Sequence, residues 1–383
     1  MNTLTRRQFL RTTAAVSTVA LFGIKPSANA APTIKVHETK VISHQPEYYH
    51  GWPTVCRRKN GDLLLSYSGG REAHVCPFGR VELMVSHDNG ATWGWPQVLL
   101  DSAIDDRDSG VLETAKGSIL VTTFTSLAYE KGLLAAEKKK SGDKGAWQAA
   151  HNRLNAEQRQ GELGQWMVRS TDGGVTWSAR YSSIVNSPHG PVQLADGRLL
   201  YAGKELWTGE KRVGVCESTD DGQTWRWLAE IPVRPGDNAA AYHELHAVDT
   251  GTGRIIVQIR NHNKTNAGET LQTESSNGGK TWSLPHSIGV WGLPSHLLRL
   301  RSGKLLMTYG HRRPPFGNQA RLSDDGGKTW SEPMIVSGDG LGGDLGYPST
   351  VELADGSLLS VWYELMKNTQ RAALRQAKWT FEV

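Results

Sequence analysis

One eight-residue phrase occurs five times in this chain, and a repeat of that kind limits the possible folds more than any other feature. The first copy is Ser86-His87-Asp88-Asn89-Gly90-Ala91-Thr92-Trp93. The others span 170–177, 218–225, 275–282 and 323–330, and all fit Ser-x-[Asp or Asn]-x-Gly-x-Thr-Trp. Such a phrase reads as a hairpin turn. The Asp or Asn side chain accepts bonds from backbone N–H groups of its own loop. Gly takes the positive φ that a tight turn requires, and Thr-Trp opens the return strand with an indole free to pack on the neighbouring hairpin. EF-hand spacing and its terminal Glu are absent, so the acidic positions read as structural rather than as calcium ligands.

A second repeat alternates with the first: an apolar strand, a Gly turn and another apolar strand. It runs over 53–67, 109–124, 191–202, 245–259, 295–309 and 348–363, turning at Gly61, Gly117, Gly197, Gly253, Gly303 and Gly356. Six such units predict an all-β fold, a six-bladed β-propeller with four-stranded blades, over residues 31–383. The sixth unit reaches the end of the sequence without a box, and an open edge strand is a liability. The early segment Thr33 to Ile42 is therefore the expected partner of the last blade, whose own final strand is read as Ala372 to Phe381. Successive turn glycines lie 56, 80, 56, 50 and 53 residues apart, so the second blade holds an insertion. Residues 126–164 are rich in Ala, Glu, Lys and Gln, with apolar Leu133, Leu134, Trp147 and Leu154. They predict a helical hairpin projecting from the ring, as a lid or a dimer contact.

The formal charge is +5, from 43 Lys and Arg against 38 Asp and Glu. Four of the cations, Arg6, Arg7, Arg11 and Lys25, lie in the first 30 residues, which hold no acid; without them the balance is 39 against 38. A nearly neutral remainder argues against nucleic acid or an anionic membrane surface as a partner. Residues 1–30 read as a cleavable export signal: Arg6-Arg7-Gln8-Phe9-Leu10, an apolar run from Ala14 to Ile24, and Ala28-Asn29-Ala30 as the cleavage pattern. The arginine pair followed by Phe and Leu resembles the twin-arginine signal of bacteria, which implies a protein exported already folded, to the periplasm or beyond. No other apolar stretch is long enough to span a membrane. Cys56, Cys76 and Cys216 are too few and too scattered for a disulfide framework or a metal knuckle.

In a propeller, polar side chains from several blades converge where the innermost strands begin, and ligand sites collect there. The segments ahead of those strands carry His50-Gly51-Trp52, Asp105-Asp106-Arg107-Asp108, Ser187-Pro188-His189, His243-Glu244-Leu245-His246, Ser295-His296 and Asp344-Leu345-Gly346-Tyr347. The fivefold phrase matches the Asp-box of the sialidase superfamily, and the resemblance implies roles for residues in the second half. Glu244 and Arg260 fall on the hairpin where the family has a glutamate and the second of three substrate-binding arginines. Arg312 or Arg313 falls at the third, Tyr347 on the nucleophile, and Glu364 on a carboxylate often found at the end of the next strand. The chemistry is coherent. A phenol of pKa about 10 is a poor nucleophile at neutral pH unless a neighbouring carboxylate takes its proton. Its neutral oxygen also avoids repulsion by an anionic sugar, which sets sialidases apart from two-carboxylate glycosidases. Arginine forks hold a substrate carboxylate bidentately.

The first half departs from the family pattern. Its Arg-Ile-Pro turn is replaced by Gly51-Trp52-Pro53, so the first arginine is missing. Arg71 is kept, but the following Glu72-Ala73-His74-Val75-Cys76-Pro77 lacks the aspartate acid/base. Candidate proton donors are His74, Glu72 and the acids of Asp105-Asp106-Arg107-Asp108, with His74 and Asp106 foremost. Arg107 is the candidate for the lost arginine, and His246 and His296 complete the substrate-binding set with Arg71. The expected protein is an exported exo-glycoside hydrolase of the sialidase superfamily, with a carbohydrate partner bearing a terminal acidic sugar: sialic acid, a uronate or another keto-acid sugar. One alternative is a polysaccharide lyase, in which Tyr347 or one of His50, His74, His189, His243, His246 and His296 abstracts the proton α to a uronate carboxylate. Another is a non-catalytic carbohydrate-binding propeller. No cofactor motif is present, and the histidines of the mouth are the one group that could take a metal.

Overall fold

Near-continuous apolar runs in short strands, such as Leu63-Leu64-Leu65, need cover on both faces, and a ring of stacked sheets supplies it. The computed structural model describes residues 32–139, 145–207, 210–367, 369 and 371–382; the segment read as an export signal lies outside them. Their strands form six four-stranded antiparallel sheets. The innermost strands are Tyr49–Arg57, Asp105–Glu113, Val192–Gln193, Tyr242–Asp249, Ser295–Arg299 and Leu345–Glu352, defining blades 1 to 6 in order. Second strands such as Leu63–Arg71 and Leu358–Leu365 are buried almost end to end, because neighbouring blades cover both of their faces. The six turn glycines all have φ between +81° and +97°. A Cβ at Gly117, Gly197, Gly253 or Gly303 would meet nothing within 4 Å, so backbone conformation rather than room requires glycine there.

The ring closes as its sequence implies. Ile34–Val41 pairs antiparallel with Ala372–Phe381, from Ile34 opposite Phe381 to Val41 opposite Arg375, and so becomes the outermost strand of blade 6. The boxes are turns tied to neighbouring blades. Asp88 accepts the Thr92 N–H at 2.8 Å and the Thr92 hydroxyl at 2.6 Å, while Ser86 Oγ accepts the Gly90 N–H at 2.9 Å. The Trp93 indole donates across to Gln376 of blade 6 (2.8 Å), and that of Trp330 to Gln272 of blade 4 (3.1 Å). Among the described residues no group of three His, Cys, Asp or Glu is arranged to hold a metal ion, and all three cysteines are free.

The insertion in blade 2 is helical, but it is not a projecting hairpin. It forms three short helices, α1 (Glu130–Lys139), α2 (Gly145–His151) and α3 (Ala156–Gly161). Tyr129, Leu133 and Trp147 need apolar cover, and they find it against Cys76 and Ile104 on blades 1 and 2. The Trp147 indole donates to Glu72 at 2.6 Å. The insertion thus lies down on the loop that carries His74.

Candidate active site

Four of the six innermost strands are bulged at one place. Register slips by one residue between Gly51 and Thr54, Arg107 and Gly110, His243 and His246, and Gly346 and Ser349. The extra residues are Trp52, Asp108, Glu244 and Tyr347, with φ of 54°, 45°, 46° and 53°. Left-handed φ at a non-glycine costs on the order of 1–3 kcal/mol and gathers at functional sites, and a bulge re-aims a side chain that regular alternation would point elsewhere. Each of the four lies nine residues before its blade's turn glycine. The same count reaches Pro188 in blade 3 and Pro294 in blade 5, where the ring forbids a positive φ.

Two of these residues meet directly. Tyr347 Oη donates to Glu244 Oε1 at 2.5 Å, Arg260 Nη1 donates to Glu244 Oε2, and the same Nη1 lies 3.2 Å from Tyr347 Oη. Arg260 stands opposite His243 in the pairing of the first two strands of blade 4, which brings it alongside the bulge. Burial opposes ionisation of Glu244, but the charge and hydrogen bond of Arg260 outweigh it and hold the carboxyl below its usual range. Burial, then the negative charge of Glu244, pushes the Tyr347 phenol well above its ordinary value. The resting pair is therefore a neutral phenol on an ionised carboxylate. Trp52 completes this wall, with its ring centroid 6.4 Å from that of Tyr347.

The arginines divide sharply. Arg312 donates from Nε to the Leu345 carbonyl (2.8 Å) and places its guanidinium 5.6 Å from the Tyr347 ring centroid. Its neighbour Arg313 turns away to stack on Trp291 at 4.3 Å. Arg107 lies 4.5 Å over Trp52 and 3.6 Å from Asp105, in the region where the resemblance lacks an arginine. Arg71 does not reach the mouth. It is fully buried 4.8 Å from the Trp52 ring centroid, forked onto Asp105 at 2.6 and 3.0 Å and further bonded to Ser68 and to the carbonyls of Ala73, His74 and Asp106. With all five N–H donors engaged it has none left for a substrate.

The proton-donor candidates separate in the same way. His74 is at the rim, its Nδ1 2.8 Å from Tyr49 Oη and 3.0 Å from Asp344. Glu72 is taken by Trp147, and Glu364 by Trp362 (2.8 Å) and Arg375 (3.0 Å). Asp106, foremost in the sequence, points away: its Oδ2 accepts the Ser102 N–H at 2.6 Å, and burial pushes its carboxyl up to about 8. The bulge explains this, because the extra residue breaks the alternation that would set Asp106 and Asp108 on one face. His246 and His296 are also outside the cluster. With His189 they pack ring on ring, centroids 4.6–5.2 Å apart, and line a cavity of about 370 Å3 that extends toward the ends of the inner strands. Burial drives His296 down to about 3 and the other two well below the usual imidazole value. His50 is buried against Tyr67 and held at about 4, while His243 lies beside His262.

The residue that sequence reasoning underrated is Asp108. It is 6% exposed, and among the described residues no hydrogen bond reaches its carboxyl. The spacing to the turn glycine was the available signal.

The BNR repeat-like domain family matches residues 144–359. No curated protein matches the chain in sequence. Among solved structures, a protein of unknown function from Dyadobacter fermentans is 21% identical, with 92% of this chain and 100% of that one covered and a TM-score of 0.74. The NanB sialidase from Streptococcus pneumoniae is 14% identical over 91% of this chain and 70% of its own, with a TM-score of 0.61. The intramolecular trans-sialidase from Ruminococcus gnavus is 13% identical over 90% and 98%, also at 0.61. Identities this low speak for the fold alone. With the family match covering more than half of its length, the chain belongs to the BNR repeat-like family, on a six-bladed propeller of the sialidase kind.

Proposed function

We propose that this protein is an exo-acting glycoside hydrolase that releases a terminal anionic sugar. The observation that carries the reading is the 2.5 Å bond from Tyr347 Oη to Glu244, with Arg260 bridging both. Tyr347 Oη attacks the anomeric carbon, its proton passes to Glu244, and the glycosidic C–O bond breaks. Water then attacks the same carbon, the proton it loses balancing the one taken up by the departed glycosidic oxygen, and Tyr347 leaves and recovers its own proton from Glu244. Arg260, Arg312 and Arg107 supply cationic forks for the sugar carboxylate. A neutral phenol suits such a substrate, because a carboxylate nucleophile would repel it.

The test is incubation of the purified protein with aryl glycosides of sialic acid and of hexuronic acids, and with uronate polysaccharides. Release of the aryl alcohol with free sugar is the expected result. An unsaturated, ultraviolet-absorbing product would make the protein a lyase instead, and binding without release would leave a carbohydrate-binding propeller.

The reading includes export, resting on Arg6-Arg7, the apolar run and Ala28-Asn29-Ala30. Changing Arg6 and Arg7 together to Lys should retain the protein in the cytoplasm on cell fractionation. Unaltered export of that variant would remove the twin-arginine assignment.

A further inference from the structure

Cleavage needs one part that the preceding reading leaves out: an acid to protonate the departing oxygen. Nearly every carboxyl near the mouth is already engaged. Asp105 holds Arg71, Asp106 takes the Ser102 N–H, Glu72 takes Trp147, and Glu244 is bound by Tyr347 and Arg260. Asp344 accepts from Tyr49 at 3.0 Å and from Tyr363 at 3.1 Å. Asp108 alone in this group has no hydrogen-bond partner among the described residues, although it is more than nine-tenths buried. It also occupies the bulge position that in blades 4 and 6 presents Glu244 and Tyr347.

We propose that Asp108 is the catalytic proton donor of this site, an assignment that rests on the glycosidase reading above. As Tyr347 Oη bonds to the anomeric carbon and the glycosidic bond breaks, the Asp108 proton goes to the leaving oxygen. In the second step the Asp108 carboxylate takes a proton from the attacking water, and Tyr347 Oη regains its own from Glu244. Atoms and charges balance without any further reactant.

The surroundings fit the task. The charges that act on Asp108 are those of Arg107, Glu244, Arg71 and Arg260, and its own charge acts on the Tyr347 and Tyr201 phenols. Burial, reinforced by Glu244 and opposed by the arginines, pushes its carboxyl up to about 7. Two carboxyls in one site, one held ionised by an arginine and the other kept protonated by burial, is how a base and an acid are divided at neutral pH.

The experiment compares two glycosides of one sugar, an aryl one whose phenolate leaves unaided and an alkyl one whose oxygen must be protonated. Asp108→Asn should lower kcat/KM on the alkyl glycoside by about a hundredfold to ten-thousandfold, the range for general acid catalysis. On the aryl glycoside the change should stay within about tenfold, because that first step needs no acid. The unmodified protein gives a second readout that no folding defect can mimic. Its alkyl activity should fall as pH rises through about 7, where Asp108 loses its proton, and its aryl kcat/KM should not. Equal losses on both glycosides, or an alkyl activity indifferent to Asp108→Asn, would overturn the assignment. If Tyr347→Phe is dead while Asp108→Asn behaves as wild type, the donor fails and the glycosidase reading stands. If the unmodified protein cleaves neither class, both fall together.

Discussion

Tyr347→Phe should lower kcat/KM on any glycoside the protein cleaves by about a thousandfold or more, the scale seen when a nucleophile is deleted, with little change in Tm. Only one oxygen is lost. The ring keeps its packing against Trp52 and against Tyr363, whose centroid is 5.8 Å away, and the Arg312 guanidinium stays over its face. Glu244 loses one hydrogen bond but keeps Arg260, so no buried charge is stranded. Fluorogenic assay and a melting curve on the same preparation check both halves. Activity above about a tenth of wild type would remove Tyr347 from the nucleophile's role, since a residual of that size is far above what the loss of a nucleophile leaves.

The largest stability effect is expected at Arg71. Removing one partner of a fully buried ion pair costs roughly 3–5 kcal/mol, because the other charge is left without compensation. Arg71→Met would leave Asp105 only the longer 3.6 Å contact to Arg107 and deprive the carbonyls of Ala73, His74 and Asp106 of their donor. A fall in Tm of roughly 4–7 °C follows for a domain of this size. The double change Arg71→Met with Asp105→Asn should recover a substantial part, since no charge then remains unpaired. A single variant melting within a degree or two of wild type would contradict the dry pairing described here.

Much of the fold is legible in the sequence because propellers repeat. The six turn glycines count the blades, the boxes mark their outer hairpins, and the missing sixth box points to closure by an early strand. Helical composition locates the insertion, but whether helices stand out or lie down depends on partners such as Cys76 and Ile104, which local sequence does not reveal. The site is legible in part. Glu244, Arg260 and Tyr347 are implied by the family resemblance of the hairpins that carry them, and the fold brings them within hydrogen-bonding distance. Arg312 and Arg313 are adjacent in a turn, and only the path of that turn sends one inward. Arg71 resembles a substrate contact until Asp105, from the next blade, is seen to occupy it. Asp106 and Asp108 look alike by alternation, which would set both on one face, but the bulge at Asp108 itself separates them.

The pairing of Ile34–Val41 with Ala372–Phe381 makes the ring a clasp between the first and last pieces of the described chain to be synthesised. A ribosome therefore cannot release a finished circle blade by blade: the earliest strand must wait, unpaired, until the latest one emerges. Closure at such long sequence separation is a slow kind of contact to form. On the export reading proposed above, the carrier has either to hold the chain open or to wait for the clasp to shut.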